Sequence, residues 1–307
     1  FVENVLGGDH EFKFGADYVK ASVSSFSLYE ANMVIAEYSP DWTEAWVIRD
    51  YYNNFQFNRY SVFAQDTITW GRLSVNIGLR YDQEASIVAN VNQPAAPFLS
   101  NYLVNMKVDK FDPGMKSKIL SPRFSLIYDL FGDGKSVAKL NIARYGTQTG
   151  YEFAGHLNPV PWAEIDLRWI DGNGDGRVQE PELVGANGLG PNDVSGWSWY
   201  GGFDPDNPSL AKSTNQYDPD YKTPLLDELS LSFEQEIIAD FAVRIEGFYK
   251  ERHRFAWDKG IFSDGTIETA DNWFLSGTEP ITGAPYYDRY QWPIGSYRTN
   301  ANNAKEK

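Results

Sequence analysis

The sequence predicts an all-β protein: part of an antiparallel transmembrane β-barrel, about eight meandering strands with long extracellular loops. Three observations carry this reading. Apolar and polar residues alternate with period two, connections alternate between very short and very long, and no run approaches the ~20 apolar residues of a membrane helix. The 16% aromatic content fits the interfacial girdles of such a barrel.

The first strand runs through Phe12, Phe14, Ala16 and Tyr18. A weaker one is expected around Glu44 to Asp50. Tyr60, Val62, Ala64, Ile68 and Trp70 then share a face, with Asp66 the exception. After a tight turn at Gly71, Leu73, Val75, Ile77, Leu79 and Tyr81 form a continuous apolar face. Arg72, Ser74, Asn76, Gly78, Arg80 and Asp82 interleave as a polar one, so one side must meet water.

The same hairpin recurs twice. Phe124, Leu126, Tyr128 and Leu130 alternate with polar residues, Ile127 being the lapse, and turn through Phe131–Lys135 into Ala138, Leu140 and Ile142. Leu229, Leu231, Phe233 and Ile237 turn near Ala239-Asp240 into Phe241, Val243, Ile245 and Tyr249. The hairpins are separated by long irregular segments, at 26–43, 83–117, 149–226 and 257–307. Outward-facing aliphatics should meet lipid, with Arg72, Asn76 and Arg80 in the lumen. Trp70 and Phe131 belong near the periplasmic interface and Tyr81, Tyr145 and Tyr249 near the outer one. A soluble sandwich predicts no such ordering of turns, and a loop of nearly eighty residues would be unusual in it.

Composition narrows the function. The 42 acidic and 27 basic residues argue against nucleic acid, whose phosphates need basic patches. Cysteine is absent, which removes thiol catalysis and thiolate metal sites. His10, His156 and His253 show no ligand spacing, and Gly196-Trp197-Ser198-Trp199-Tyr200 lacks the last glycine of a nucleophile elbow. The sequence therefore predicts no enzyme. It opens at Phe1 without a signal-peptide pattern.

The segment 149–226 holds a candidate metal loop at 171–182. Asp171-Gly172-Asn173-Gly174-Asp175-Gly176-Arg177-Val178-Gln179-Glu180-Pro181-Glu182 fits an EF-hand calcium loop at every specified position. Calcium takes six to eight oxygens. Asp171, Asn173 and Asp175 can point inward together, Gly176 permits the turn, the Arg177 carbonyl joins them, Gln179 acts through water and Glu182 binds through both oxygens. A structural staple is expected rather than a sensor, since there is one loop and Pro181 limits the exiting helix. Twelve acidic residues against four basic ones in 149–226 read as a solvated surface. Trp162, Trp169, Trp197, Trp199 and Tyr200 could stack on sugars; burial in a small core of the loop's own is the favoured reading.

Several stretches resemble TonB-dependent receptors. Gly8–Tyr18 is similar to their "G-x-H-x-h-x-h-G-x-x-h" strand, and Tyr60 through Phe63-Ala64-Gln65-Asp66 to Leu79-Arg80-Tyr81 to their "FAQD…GLRYD" hairpin. Ser121-Pro122-Arg123-Phe124, Tyr128-Asp129, Phe131–Lys135 and Ala143-Arg144-Tyr145 follow the next hairpin, closest to the Oar-like branch with its long decorated loops. The motifs cover about a third of the chain. The resemblance implies an outer-membrane receptor of about 22 strands surrounded by lipid. It implies a plug that contacts the TonB complex, and uptake of a substrate the residues do not name. No plug-like region or terminal aromatic is visible, so 1–307 is expected to be an internal part of one barrel domain, with plug and C-terminal strands absent. Two alternatives stay open: a secreted calcium-dependent carbohydrate-binding β-protein, and a structural or adhesive outer-membrane barrel.

Overall fold

The computed structural model describes residues 1–39 and 41–301. The chain starts with β1 (Val2–Val5) and β2 (Gly8–Ser27), then leaves the main sheet for β3 (Met33–Ser39) and β4 (Trp42–Ile48). It returns through the long hairpin β5 (Tyr51–Trp70) and β6 (Leu73–Val88), followed by the short β7 (Val91–Gln93) and β8 (Met106–Val108). A second hairpin is β9 (Lys116–Asp129) and β10 (Ser136–Gly146). The longest excursion carries helix α1 (Glu152–His156), β11 (Glu164–Trp169), β12 (Leu183–Val184), β13 (Trp199–Gly201) and β14 (Gln216–Tyr217). The third hairpin, β15 (Leu225–Ile238) and β16 (Phe241–His253), leads to β17 (Ala256–Ile261), β18 (Trp273–Thr278), β19 (Pro285–Arg289) and β20 (Gly295–Asn300).

Eight of these strands form one antiparallel sheet in the order β1-β2-β5-β6-β9-β10-β15-β16. Each strand neighbours the next in this meander, with β1 and β16 at opposite edges, so the barrel is not closed within the described residues. Every tight turn lies at one end. Gly71 (φ 56°) and Asp240 (φ 64°) supply the left-handed residues those turns require. Asp129 ties the Phe131–Lys135 turn by accepting from the Gly132 and Gly134 amides at 2.9 and 2.8 Å. Arg72 joins two turns by donating to the Leu130 carbonyl at 2.8 Å.

All long segments therefore emerge at the other end. Their strands extend further than the sequence pattern suggests. β2 and β5 each run 20 residues in unbroken register, from Asp9↔Thr69 to Ser27↔Tyr51. At ~3.3 Å per residue and a ~45° tilt this spans about 45 Å, well beyond a ~25 Å apolar band. The upper ends of these strands thus extend well past such a band.

The alternation separates an exposed apolar face of the sheet from a polar one. Ile77 and Leu79 are 52% and 49% exposed, Tyr81 is also exposed, and the buried apolar clusters lie elsewhere, in the outer segments. Among the described residues no second sheet packs on this face. Three expectations need correction. Val75 is only 8% exposed, because its short side chain sits in register between Ile68 and Leu126. Arg72 lies in the tight turn rather than in the lumen. Tyr145 follows the polar face, where the Arg123 guanidinium lies 5.3 Å from its ring centroid. Asp66, the polar lapse on the apolar face, is answered by His10, whose Nδ1 lies 2.7 Å from Asp66 Oδ2.

The expected strand at Glu44–Asp50 exists as β4, but it does not join the barrel; β1 is the eighth barrel strand instead. β4 lies in a second sheet ordered β12-β11-β4-β3, with β13 also paired to β11. The long segments are therefore not irregular. Two of them, 28–50 and 147–224, share this sheet, Ile165 pairing with Val47 and Leu167 with Ala45. Ala45, Val47, Ile165, Leu167 and Leu183 bury one face of it against Leu99, Leu103, Trp197 and Phe203. That core draws on three separate segments and forms an outer cap. Arg49, buried beneath it, donates to the Val104 and Pro161 carbonyls at 3.1 and 3.4 Å, and burial pushes its guanidinium down to about 10.

No helix among the described residues is long and apolar enough to cross a membrane.

Candidate functional site

The 171–182 loop leaves β11 and returns into β12, so its two ends are clamped by a short ladder. Trp169 pairs with Leu183 and the Ile170 amide donates to the Glu182 carbonyl at 3.1 Å. Between these ends the chain curls over Gly174 (φ 71°) and Gly176 (φ 70°), conformations that side chains beyond glycine resist. Asp171 sits inside the curl: Oδ1 accepts from the Gly174 and Asp175 amides at 2.7 and 3.2 Å, and Oδ2 from Gly176 at 2.9 Å. Asn173 Oδ1 accepts from the Asp175 amide at 2.9 Å, and Asp175 Oδ1 from Arg177 at 2.8 Å. Gln179 Nε2 reaches Asp175 Oδ2 at 3.0 Å.

Glu182 closes the ring from the far end. Its Oε1 accepts from the Gly172 amide at 3.2 Å, and its Oε2 from Trp169 Nε1 at 3.1 Å and from the Gln179 amide at 3.3 Å. Val178 packs partly buried against the cap core, which fixes the loop to the body of the cap. The fold thus joins Asp171, Asn173, Asp175 and Gln179 in one hydrogen-bonded turn and brings Glu182 back across it. It does not gather Asp171, Asp175 and Glu182 into a tight carboxylate cluster; among the described residues no three acidic or histidine side chains form one. The donor set is nonetheless all oxygen and suits a hard cation. It draws on an amide oxygen and a backbone carbonyl as well as carboxylates.

A second feature lies on the polar face of the main sheet, at its upper half. Arg59, Arg80, Asp82, Glu84, Arg123 and Tyr145 line a cavity of about 430 Å³. Arg80 Nε sits 3.0 Å from both Asp82 oxygens, and Ser61 Oγ donates to Asp82 at 2.6 Å. Glu84 is 2% exposed and accepts from the Thr149 amide and hydroxyl at 2.6 and 2.8 Å. It pins the start of the longest segment inside the mouth. Phe55, Val88, Val91 and Ala154 bury a small cluster there, and Tyr151 stacks on Phe55 at 5.2 Å. The cap therefore folds inward over the polar face. Arg80 and Asp82 were visible in the sequence as part of that face. Glu84 was not, because its role depends on a residue 65 positions away.

The family described as "TonB dependent receptor-like, beta-barrel" matches residues 2–163, just over half of the chain. The chain belongs to that family. Barrels of this family are proteins of the bacterial outer membrane, and this receptor segment is located there. That placement sets aside the secreted alternative. No curated protein matches the sequence. Among solved structures, the chain is similar to a double mutant of the Serratia marcescens hemophore receptor HasR, solved in complex with its hemophore HasA and heme. The identity is 11% and the TM-score 0.37, over 97% of this chain and 38% of that receptor. The receptor segment thus spans less than two fifths of the length of HasR.

Proposed function

We propose that this chain forms the substrate-admitting part of a TonB-dependent outer-membrane receptor that takes up a substrate still to be identified. One observation carries the reading: the long segments emerge at one end of the sheet, three of them build a common core, and the longest folds over the polar face. A receptor needs a formed, rigid outer surface above its lumen, and this arrangement supplies one. The protein then acts by binding and passage, with no chemistry of its own. Coupling to the TonB complex would run through a plug, and lipid would surround the apolar face. Membership of the Oar-like branch is the finer assignment, supported by the length and internal structure of the outer segments. Uptake can be followed in cells that depend on the receptor for a limiting nutrient. Deleting residues 183–215 and deleting TonB should each abolish growth. Growth lost with the cap but unaffected by loss of TonB would favour a structural or adhesive barrel.

The 171–182 loop is proposed to bind calcium as a staple of the cap. Asp171, Asn173, Asp175, the Arg177 carbonyl and Glu182 would hold the ion, with Gln179 adjoining through water. The bound ion would neutralise carboxylates now satisfied only by neutral N–H donors. A ligand that binds the folded loop alone stabilises it by mass action. Extracellular modules of this type bind at about 10⁻⁴–10⁻³ M, enough for occupancy outside the cell. Calorimetry on the full chain in detergent should show one such site. Glu182→Gln should weaken it at least tenfold, remove the protection calcium gives residues 149–226 against proteolysis, and leave the barrel strands intact. Absence of calcium heat and of protection at several millimolar would end the assignment.

A further inference from the structure

The cap sheet has two faces, and only one is accounted for by the core. On the other, the alternation sets Glu44 and Trp46 of β4 beside Glu164, Asp166 and Arg168 of β11 and Trp199 of β13. A cavity of about 420 Å³ opens on this face, walled by Tyr38, Trp42, Trp199 and Trp292, with Glu44, Asp166 and Ser198 completing its lining.

The acids of this face share an imbalance. Glu44 is buried, and its two oxygens accept from the indole N–H groups of Trp42 at 3.3 Å and Trp46 at 3.2 Å. Glu164 accepts from Trp162 Nε1 at 2.7 Å. Asp166 lies beside both acids, and its Oδ1 is buried with no hydrogen-bond donor. Arg168, on the same face, makes no ion pair with these acids among the described residues: its guanidinium lies 5.1 Å over the Trp42 ring and donates to the Asp41 carbonyl. Neutral indole donors cannot replace a counter-charge, and carboxylates withdrawn from water without one are costly. The walls point to the same missing partner, because the faces of tryptophan and tyrosine rings attract cations.

We propose that this pocket binds an organic cation, an alkylammonium or guanidinium group, between its aromatic walls and the Asp166 carboxylate. A metal ion fits less well. It needs six to eight oxygens, whereas of the seven residues lining this pocket four are aromatic and only two acidic. A neutral sugar could stack on the tryptophans but would not favour release of the Asp166 proton, so its affinity should not rise with pH.

Burial, with Glu164 and Glu44 beside it, pushes the Asp166 carboxyl up to about 9. The charged and titratable groups around it are Tyr38, Glu44, Glu164 and Arg168. At neutral pH Asp166 therefore holds its proton, and a bound cation favours its release. Cation affinity should rise with pH towards about 9 and level off above it.

The test is calorimetry on the full chain in detergent, with tetramethylammonium and methylguanidinium as probes and methyl β-glucoside as the neutral control. Both cations should bind, the glucoside should not, and affinity should rise at least about fivefold from pH 6 to 9. Trp292 is 62% exposed, so Trp292→Ala should fold normally; it should weaken binding by about tenfold. Asp166→Asn should weaken it too and remove the pH dependence. Binding of the glucoside alone, or no cation binding up to about 10 mM, would overturn the assignment. So would cation affinity unchanged in both variants.

Discussion

Replacing Trp197 by alanine should cost the outer cap about 3–5 kcal/mol while leaving the membrane strands intact. Trp197 is 8% exposed and stands where two segments meet. Its ring meets Tyr102 edge-on at 4.8 Å from the 89–115 segment, and Tyr200 and Phe203 from its own. Its indole N–H donates to the Pro191 carbonyl at 2.8 Å. Truncation would open a cavity, strand that carbonyl and separate the two segments at once. Limited proteolysis should then cut within residues 95–105 and 183–215, sites protected in the parent protein, while heat-resistant migration of the barrel persists. If the cap of the variant resists protease as well as the parent does, its core does not depend on this residue and the cap has been misread.

The second large effect is expected at the lipid face. Leu79 is half exposed, pairs with Ala64 and Pro122, and has no acidic neighbour across the ladder. Leu79→Arg should destabilise the folded barrel by about 2–4 kcal/mol in a bilayer, the cost of a cation near the midplane. Ser125→Arg, on the polar face between Asn76 and Asn141, should change stability by no more than about 0.5 kcal/mol. Urea titrations in lipid vesicles would measure both. Equal costs for the two would mean that water, or another protein surface, covers both faces.

What the sequence revealed follows from the two solvents the sheet divides. Between lipid and an aqueous lumen, each side chain must choose, and so Leu73 to Tyr81 and Phe241 to Tyr249 read plainly. Above the membrane that choice disappears. Ser22-Val23-Ser24-Ser25-Phe26 still belongs to β2, but both of its faces meet water or cap, and its strand character went unread. β4 shows the opposite difficulty. Its Ala45 and Val47 alternate with Glu44 and Trp46 as a barrel strand would, because periodicity reports that one face is buried and not what buries it. β11 has the same signature in Ile165 and Leu167, hidden inside a segment taken to be irregular. The 171–182 loop was legible because its spacing is local: every contact that shapes it lies within about one turn, apart from the reach of Glu182. The aromatic pocket was not, because its walls come from three segments that only the folded cap brings together.

The pairing of β4 with β11 also fixes an order of assembly. Val47 meets Ile165 across 117 intervening positions, and those positions contain both hairpins from Tyr51 to Gly146. Closing a loop of that length before the hairpins exist would cost entropy that two short strands cannot repay. Once the hairpins are laid side by side, their upper ends hold the two segments within reach and the closure is short. Formation of the cap should therefore lag insertion of the barrel and be slowed by its non-local contacts. Until then β4 and β11 remain open strand edges on the cell surface.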